Sequence, residues 1–214
     1  MLKVCSLTCL LVMAPIPGRA GTGPARAELE AFNHGLDAIH CQFTQTVIGQ
    51  DGQITDSGKG ELWVARPARF RWAYEGEFPE LIVADGTHIW LYDASLQQVT
   101  VKDQSNLANN SPLMLLANLQ GLDTEFTVTE RGEDGDMQML DLAARGKDSE
   151  FQRVTLGLRQ NQVVMMTMED AFGMRTEIHF LHMQRNPELK DSLFEFTPPP
   201  GTDVVGDMAG SDSS

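Results

Sequence analysis

The sequence is poor in cysteine and has no concentrated positive charge, and each absence excludes a class of protein. Only Cys41 lies beyond the hydrophobic N-terminus, so the rest of the chain cannot form an internal disulfide bond and must be stabilised by its core. The formal net charge is −14. Because no basic patch is present to neutralise phosphates, we expect no nucleic-acid partner and no electrostatic adhesion to anionic lipid.

Catalytic and metal-binding patterns are also missing. The chain contains no G-x-S-x-G, P-loop or H-E-x-x-H motif. His179 and His182 lie three residues apart in a segment with strand character, so their side chains are expected on opposite faces and not around one metal ion. The sequence therefore predicts neither an enzyme nor a protein that holds a cofactor or a metal.

Residues 1–27 have the features of a secretory signal peptide. Lys3 gives the N-terminus a positive charge, and the apolar run 4–16 is too short to span a bilayer. Small residues suited to cleavage end at Ala20 and at Ala27, and we favour Ala27 because a helical pattern begins directly after it. No later segment approaches membrane-spanning length, so we expect a soluble periplasmic or secreted protein.

The mature chain is expected to form one domain over residues 28–201. Residues 28–40 have apolar side chains at helical spacing. Ten or eleven short antiparallel strands follow, and Asp85-Gly86 between two apolar runs is a strong hairpin signal. Many short strands with few helices predict a mainly β fold with a strongly curved sheet. Three further predictions concern the C-terminal region: a helical turn over 186–189, a strand over 194–196 and a disordered acidic tail over 202–214.

Two strand patterns rich in aromatic residues meet at a proline. Leu62 and Val64 alternate with their neighbours at the two-residue period of a half-buried strand. The pattern stops at Arg66-Pro67, because proline cannot donate a hydrogen bond to a neighbouring strand, and it resumes with Phe70 and Trp72. We interpret the two strands as walls of an apolar cavity, with Arg66 at its rim.

A helix that is apolar on nearly every side favours the same interpretation. Ser111-Pro112 is a helix cap followed by proline, and residues 113–119 after it have almost no polar face. Methionines concentrate at 165–174, and their flexible side chains suit variable apolar partners. A sheet that is simply filled by its helices explains these residues equally, so both interpretations stay open at this point.

Several runs resemble the outer-membrane lipoprotein carrier protein (LolA) family. They follow the family's order and together span roughly residues 29–201. Ala94 departs from the pattern, since the family usually has proline after Tyr-Asp. The matching runs are F-T-Q at 43–45, G-E-L-W-V-A-R-P-A-R-F-R-W at 60–72, L-I-V-A-D-G-T-H-I-W-L-Y-D at 81–93, Q-V-T at 98–100, P-L-M-L-L-A at 112–117 and F-T-P-P-P-G at 196–201.

The resemblance implies an incomplete antiparallel β-barrel closed by a lid of short helices. It also implies a monomeric periplasmic chaperone for acylated lipoproteins, which receives them from an inner-membrane lipoprotein-releasing ABC transporter and delivers them to an outer-membrane lipoprotein receptor. A carrier of free lipid or glycolipid on the same fold is the alternative. Arg66, with Pro67, is implied to act as a latch that hydrogen-bonds the backbone of the lid. The residues predicted to line the acyl-chain cavity are Leu62, Val64, Phe70, Trp72, Trp90, Leu113, Leu116, Met166 and Met168.

Overall fold

One twelve-stranded sheet organises the part of the chain that the computed structural model describes, namely residues 23–77, 79–106, 116, 122–145 and 151–206. The sheet is accompanied by the α-helices α1, Pro24–Asn33, and α2, Leu122–Glu125, and Leu116 is also helical. Short 3-10 helices cover Gln104–Asn106 and Asp191–Phe194. The strands are β1 Ala38–Ile48, β2 Ile54–Ala65, β3 Arg69–Tyr74, β4 Glu80–Ala84, β5 His88–Asp93, β6 Gln98–Asp103, β7 Phe126–Asp134, β8 Met137–Ala144, β9 Phe151–Arg159, β10 Gln162–Asp170, β11 Arg175–Arg185 and β12 Asp203–Gly206.

The sheet consists of two meanders joined through β1. Its strand order is β12-β6-β5-β4-β3-β2-β1-β11-β10-β9-β8-β7. Neighbouring strands are antiparallel, except that β12 runs parallel to β6. The edge strands β12 and β7 do not pair with each other, so the sheet stays open. The predicted mainly β fold with an open, curved sheet is confirmed.

Helix α1 lies against β7 to β10 and defines the inner face of the sheet. It buries Ala25, Leu29 and Phe32 in one apolar cluster with side chains from both meanders. The predicted helix over 28–40 was placed too late in the chain, because β1 already begins at Ala38. The predicted leader boundary after residue 27 falls within α1, because the helix begins at Pro24. Ala25, on the leader side of that boundary, is fully buried.

The C-terminal region differs from the sequence prediction at each of its three parts. Residues 186–189 form no helical turn, and Asn186 adopts a left-handed φ of 51° with its side chain bonded to the α1–β1 connection. A 3-10 helix, Asp191–Phe194, stands in place of the last strand predicted over 194–196. Residues 203–206, predicted as part of a disordered tail, form β12 and cover the free edge of β6.

The segment around the second 3-10 helix packs on the outer face of the sheet, opposite α1. Phe194 is 2% exposed. The guanidinium group of Arg69 lies 5.0 Å from the centre of its ring and donates a 2.8 Å hydrogen bond to Asp191. Arg71 reaches the carbonyl oxygen of Leu193. Apolar residues of β3 to β6 are therefore buried on both faces of the sheet.

Candidate functional site

The inner face carries a continuous apolar surface, and its first part lies on β2 and β3. Residues opposite each other on antiparallel strands share a face of the sheet. Leu62 lies opposite Trp72, and Val64 lies opposite Phe70. All four side chains are at most 2% exposed and belong to the cluster that includes α1. The structure therefore brings these four predicted cavity residues together.

The second part of this surface comes from β10 and from residue 116. Met166 and Met168 are buried in the same apolar cluster, although they belong to the other meander. Leu116 is helical and 1% exposed, and it also joins the cluster. Leu113 lies outside the described residues. Seven of the nine predicted lining residues thus meet on one face, from both meanders of the sheet.

Trp90 lies on the opposite face, which corrects its predicted place in the cavity. It pairs with Val83, which in turn pairs with Arg71, so all three point outward. The Trp90 indole donates a 2.8 Å hydrogen bond to Asp85 and packs against Phe196 at a ring distance of 5.8 Å. Trp90 therefore packs against the C-terminal segment on the outer face.

The methionines noted in the sequence divide between the two faces of the sheet. Met166 and Met168 point inward, whereas Met137, Met139 and Met165 line a shallow groove of about 530 Å³ on the outside of β7 to β11. Charged residues of the same strands border this groove. The alternation of side chains along a strand explains the division.

Phe43, which was not predicted as part of the site, forms an aromatic cluster on the inner face with Tyr74 and the predicted cavity residue Trp72. The ring of Phe43 lies 4.0 Å from that of Trp72 and 5.2 Å from that of Tyr74. Gly60 makes this approach possible, because a Cβ atom there would lie 1.9 Å from a backbone oxygen and 2.9 Å from the Phe43 ring. The Tyr74 hydroxyl donates a 2.9 Å hydrogen bond to Gln45 at the border of the cluster.

Arg66 lies in the turn between β2 and β3, where its side chain reaches the end of α1. Nη1 donates a short hydrogen bond to the side-chain oxygen of Asn33, the last residue of α1. The backbone N–H donates a 2.9 Å bond to the carbonyl oxygen of Asp37. The buried atoms Nε and Nη2 have no hydrogen-bond partner in the part of the chain that the structure describes. Pro67 follows through a cis peptide bond and is exposed.

The charge of Arg66 is held in an unfavourable environment. Burial lowers the pKa of its guanidinium group below the ordinary value; the negative charge of Asp37 opposes this change, and the positive charge of Arg185 adds to it. Two arginines therefore converge on the C-terminal end of α1, where the partial negative charge of a helix favours cations.

Arg185 and Asn186 hold the same end of α1 from the sheet. Nη2 of Arg185 donates 2.9 Å hydrogen bonds to the carbonyl oxygens of Phe32 and His34. The side-chain amide of Asn186 donates a 2.7 Å bond to Gly35. No local sequence pattern indicates these contacts, because the bonded residues are about 150 positions apart.

Gln104 connects the Arg66 turn to the hairpin between β4 and β5. It is 4% exposed. Its amide donates a 2.5 Å hydrogen bond to the carbonyl oxygen of Ala68 and accepts a 3.0 Å bond from the backbone of Gly86. A buried glutamine with both ends of its amide bonded fixes the two turns relative to each other.

The fold and the site together define a class of protein, namely a half-barrel with a broad apolar inner face against which a helix packs. No helix in the described ranges has both the length and the apolar character needed to cross a membrane. The family model for the outer membrane lipoprotein carrier protein LolA matches residues 34–197. The chain belongs to the LolA family.

Individual relatives agree with this assignment. An outer-membrane lipoprotein carrier protein of Dechloromonas aromatica is 36% identical over 205 residues, covering 96% of this chain and 97% of that protein. One from Xanthomonas oryzae is 39% identical over 185 residues, covering 86% of this chain and 88% of that protein. A conserved protein of Thermus thermophilus, 14% identical, has the same fold with a TM-score of 0.51, covering 85% of this chain and 98% of that chain.

Proposed function

We propose that this protein is a periplasmic chaperone that carries acylated lipoproteins from an inner-membrane ABC transporter to an outer-membrane receptor. One observation supports this function above the others: the inner face is apolar across both meanders of an open sheet, in a chain of a lipoprotein carrier family. An apolar surface of that extent suits the acyl chains of a lipoprotein. The open edges of the sheet suit entry of chains that remain attached to a protein.

The energetics of acyl-chain burial set limits on such a carrier. Burying one CH₂ group gains about 0.8 kcal/mol. Several long chains, fully enclosed, would exceed the limit of roughly 18–21 kcal/mol for reversible binding. The carrier must therefore bury its cargo only in part, and it needs a closed empty state that competes with the loaded one. Met166 and Met168 suit this task, because methionine adapts to variable apolar partners.

Arg66 is the residue that we assign to the closed empty state. Its guanidinium group bonds the end of α1 through Asn33, and its Nε and Nη2 atoms are buried without a hydrogen-bond partner among the described residues. A guanidinium group has five N–H donors and no acceptor, so it suits the carbonyl oxygens at a helix end. We expect Arg66→Leu to load cargo normally but to deliver it poorly, because the empty state that delivery produces is less stable.

A transfer assay tests the function directly. The purified protein is incubated with inner-membrane vesicles that contain the releasing transporter and a triacylated lipoprotein, and the soluble fraction is analysed for carrier-bound lipoprotein. We expect a complex of one carrier with one lipoprotein, which an unacylated form of the same lipoprotein does not form. Mass spectrometry of the bound material distinguishes the alternative, since a carrier of free lipid or glycolipid would hold acyl chains without attached protein. Failure to extract the triacylated lipoprotein would refute the proposal.

A further inference from the structure

The two ends of α1 are attached to the same meander of the sheet. The helix lies against β7 to β10, and Ala25, Leu29 and Phe32 point into the apolar cluster. Polar side chains of β7, β11 and their connections hold its backbone at both ends. By contrast, the described hydrogen bonding between α1 and side chains of the other meander consists of one bond, from Arg66 to Asn33.

The N-terminal end of α1 is capped by a strand. Gly23 has no side chain that could cap the helix, and Glu130 of β7 supplies the missing acceptors. Its two carboxylate oxygens accept hydrogen bonds from the backbone N–H groups of Ala25 at 3.1 Å and Arg26 at 2.9 Å. A carboxylate at this position also interacts favourably with the partial positive charge of the helix end.

An ion pair and a hydrogen bond to a carboxylate hold the first two turns of α1 as well. Arg26 forms a bidentate pair with Asp123 of α2, with one contact of 2.6 Å. Glu28 accepts a 2.9 Å hydrogen bond from the backbone of Asn161 in the β9–β10 turn. Planar, two-point pairing fixes orientation as well as distance. The first half of α1 is thereby fixed to β7, α2 and the β9–β10 turn.

The C-terminal end of α1 is held by β11 through Arg185. Its Nη2 bonds the carbonyl oxygens of Phe32 and His34, and its guanidinium group lies 5.9 Å from the centre of the Phe32 ring. Asn186, the next residue, accepts hydrogen bonds from the backbone of Asp37 at 2.8 Å and Ala38 at 3.1 Å. An opening that separates Arg66 from Asn33 leaves all of these contacts intact.

We propose that α1 is a fixed element of the carrier, that Arg185 is the positioning residue for its C-terminal end, and that the inner face opens to cargo without displacement of α1. This inference rests on the proposed carrier function, which supplies the cargo. On this proposal, opening breaks the contact between Arg66 and α1, and the contacts between α1 and β7 to β11 remain.

A reversible cross-link tests whether α1 moves. A Cβ atom on Gly23 would lie 2.4 Å from Cγ of Glu130, so Gly23→Cys with Glu130→Cys places two sulfur atoms within reach of a disulfide bond. Cys41 does not compete, because burial raises the pKa of its thiol to about 12. We expect the oxidised variant to load and deliver lipoprotein within about twofold of its reduced form, since the attachment exists already in the wild type.

Loss of loading on oxidation, restored by reduction, would overturn the inference while leaving the carrier function intact. Failure of the wild type to load any triacylated lipoprotein would overturn both. Amide hydrogen exchange gives an independent reading: protection of residues 25–34 should stay within about threefold between the empty and the loaded wild type. A clear rise in exchange on loading would contradict a fixed helix.

Arg185 is tested by the same measurement in variants. Arg185→Leu should raise exchange at the C-terminal end of α1 by about tenfold or more in the empty protein, because two carbonyl contacts are lost. Arg185→Lys, which keeps donors for both carbonyl oxygens, should restore most of the protection. Arg66→Leu is the matched comparison and should leave exchange in the first half of α1 unchanged. Equal exchange profiles for Arg185→Leu and the wild type would overturn the role of Arg185.

Discussion

The hydrogen bond between Arg66 and Asn33 allows a quantitative test of the latch. Asn33→Ala removes the acceptor of Nη1, so that Nε, Nη1 and Nη2 of a half-buried guanidinium group all lack a partner among the described residues. Arg66→Leu removes the same bond, but it also removes two donors that are unpaired there already. We therefore expect Asn33→Ala to destabilise the folded protein more than Arg66→Leu, although the second substitution is chemically larger.

The magnitudes follow from the energetics of buried donors. A hydrogen bond to a charged group contributes about 1.5–3 kcal/mol, and a donor left without a partner costs about 1–3 kcal/mol. Because the Arg66 side chain keeps some access to water, we expect Asn33→Ala to lower the free energy of unfolding by about 2 kcal/mol. For Arg66→Leu the lost bond is offset by the removal of a desolvated charge, and we expect a loss below about 1 kcal/mol. The double variant should resemble Arg66→Leu alone, so the coupling energy should equal the loss caused by Asn33→Ala, about 2 kcal/mol.

Urea denaturation measures these differences. With a slope of about 2 kcal/mol per M, Asn33→Ala should lower the midpoint by about 1 M and Arg66→Leu by less than about 0.5 M. Asn33→Asp keeps an acceptor for Arg66 and is the matched control, with a midpoint close to that of the wild type. Additive losses in the double variant would show that the two side chains do not depend on each other. Equal midpoints for Asn33→Ala and Arg66→Leu would contradict the cost that we assign to the unpaired donors.

Three further predictions concern the core and the N-terminus. Gly60→Ala should lower the midpoint of thermal unfolding, measured by calorimetry, by several degrees. Its Cβ atom would lie 1.9 Å from a backbone oxygen, and overpacking costs about 1–3 kcal/mol. Gly76→Ala is the control, because a Cβ atom at that position would meet no atom within 4 Å. Cys41 has a thiol pKa raised by burial to about 12, so at pH 8 a maleimide should label it in urea and leave it unlabelled in the native protein. On the proposed periplasmic location, intact mass of the exported protein should show cleavage after Ala20, because a chain cut after Ala27 would lack the first turn of α1.

The inner face could be predicted where only one side of a strand is apolar. On β2 and β3 the alternation assigns Leu62 and Phe70 to one face, and the structure agrees. On β5, which runs from His88 to Asp93, apolar side chains point to both faces of the sheet. Ile89 faces the core, and Trp90 faces the C-terminal segment. Periodicity carries no information about direction in a strand that is covered on both sides, and Trp90 was misplaced for that reason.

The contacts around α1 could not be predicted at all. Glu130 caps a helix that begins 106 positions earlier in the sequence at Pro24, and the cap residue itself is a glycine. A local capping signal such as a serine followed by a glutamate is therefore absent, and the start of the helix was placed too late. Arg185 is an ordinary polar residue at the end of β11, and only the pairing of β1 with β11 brings it to the carbonyl oxygens at the end of α1.

The different environments of the two arginines explain why one suits a movable contact and the other a permanent one. Arg185 donates to two backbone carbonyl oxygens and stacks on Phe32, so its release would leave those acceptors without it and expose an aromatic ring. Arg66 has one described side-chain bond and two unpaired buried donors, and the nearby charge of Arg185 opposes its own. Opening the contact at Arg66 returns these donors to water, and that hydration offsets much of the lost hydrogen bond. On the proposed function, the carrier therefore opens at Arg66 because the closed state is only weakly favoured there, while α1 keeps the geometry to which the empty protein returns.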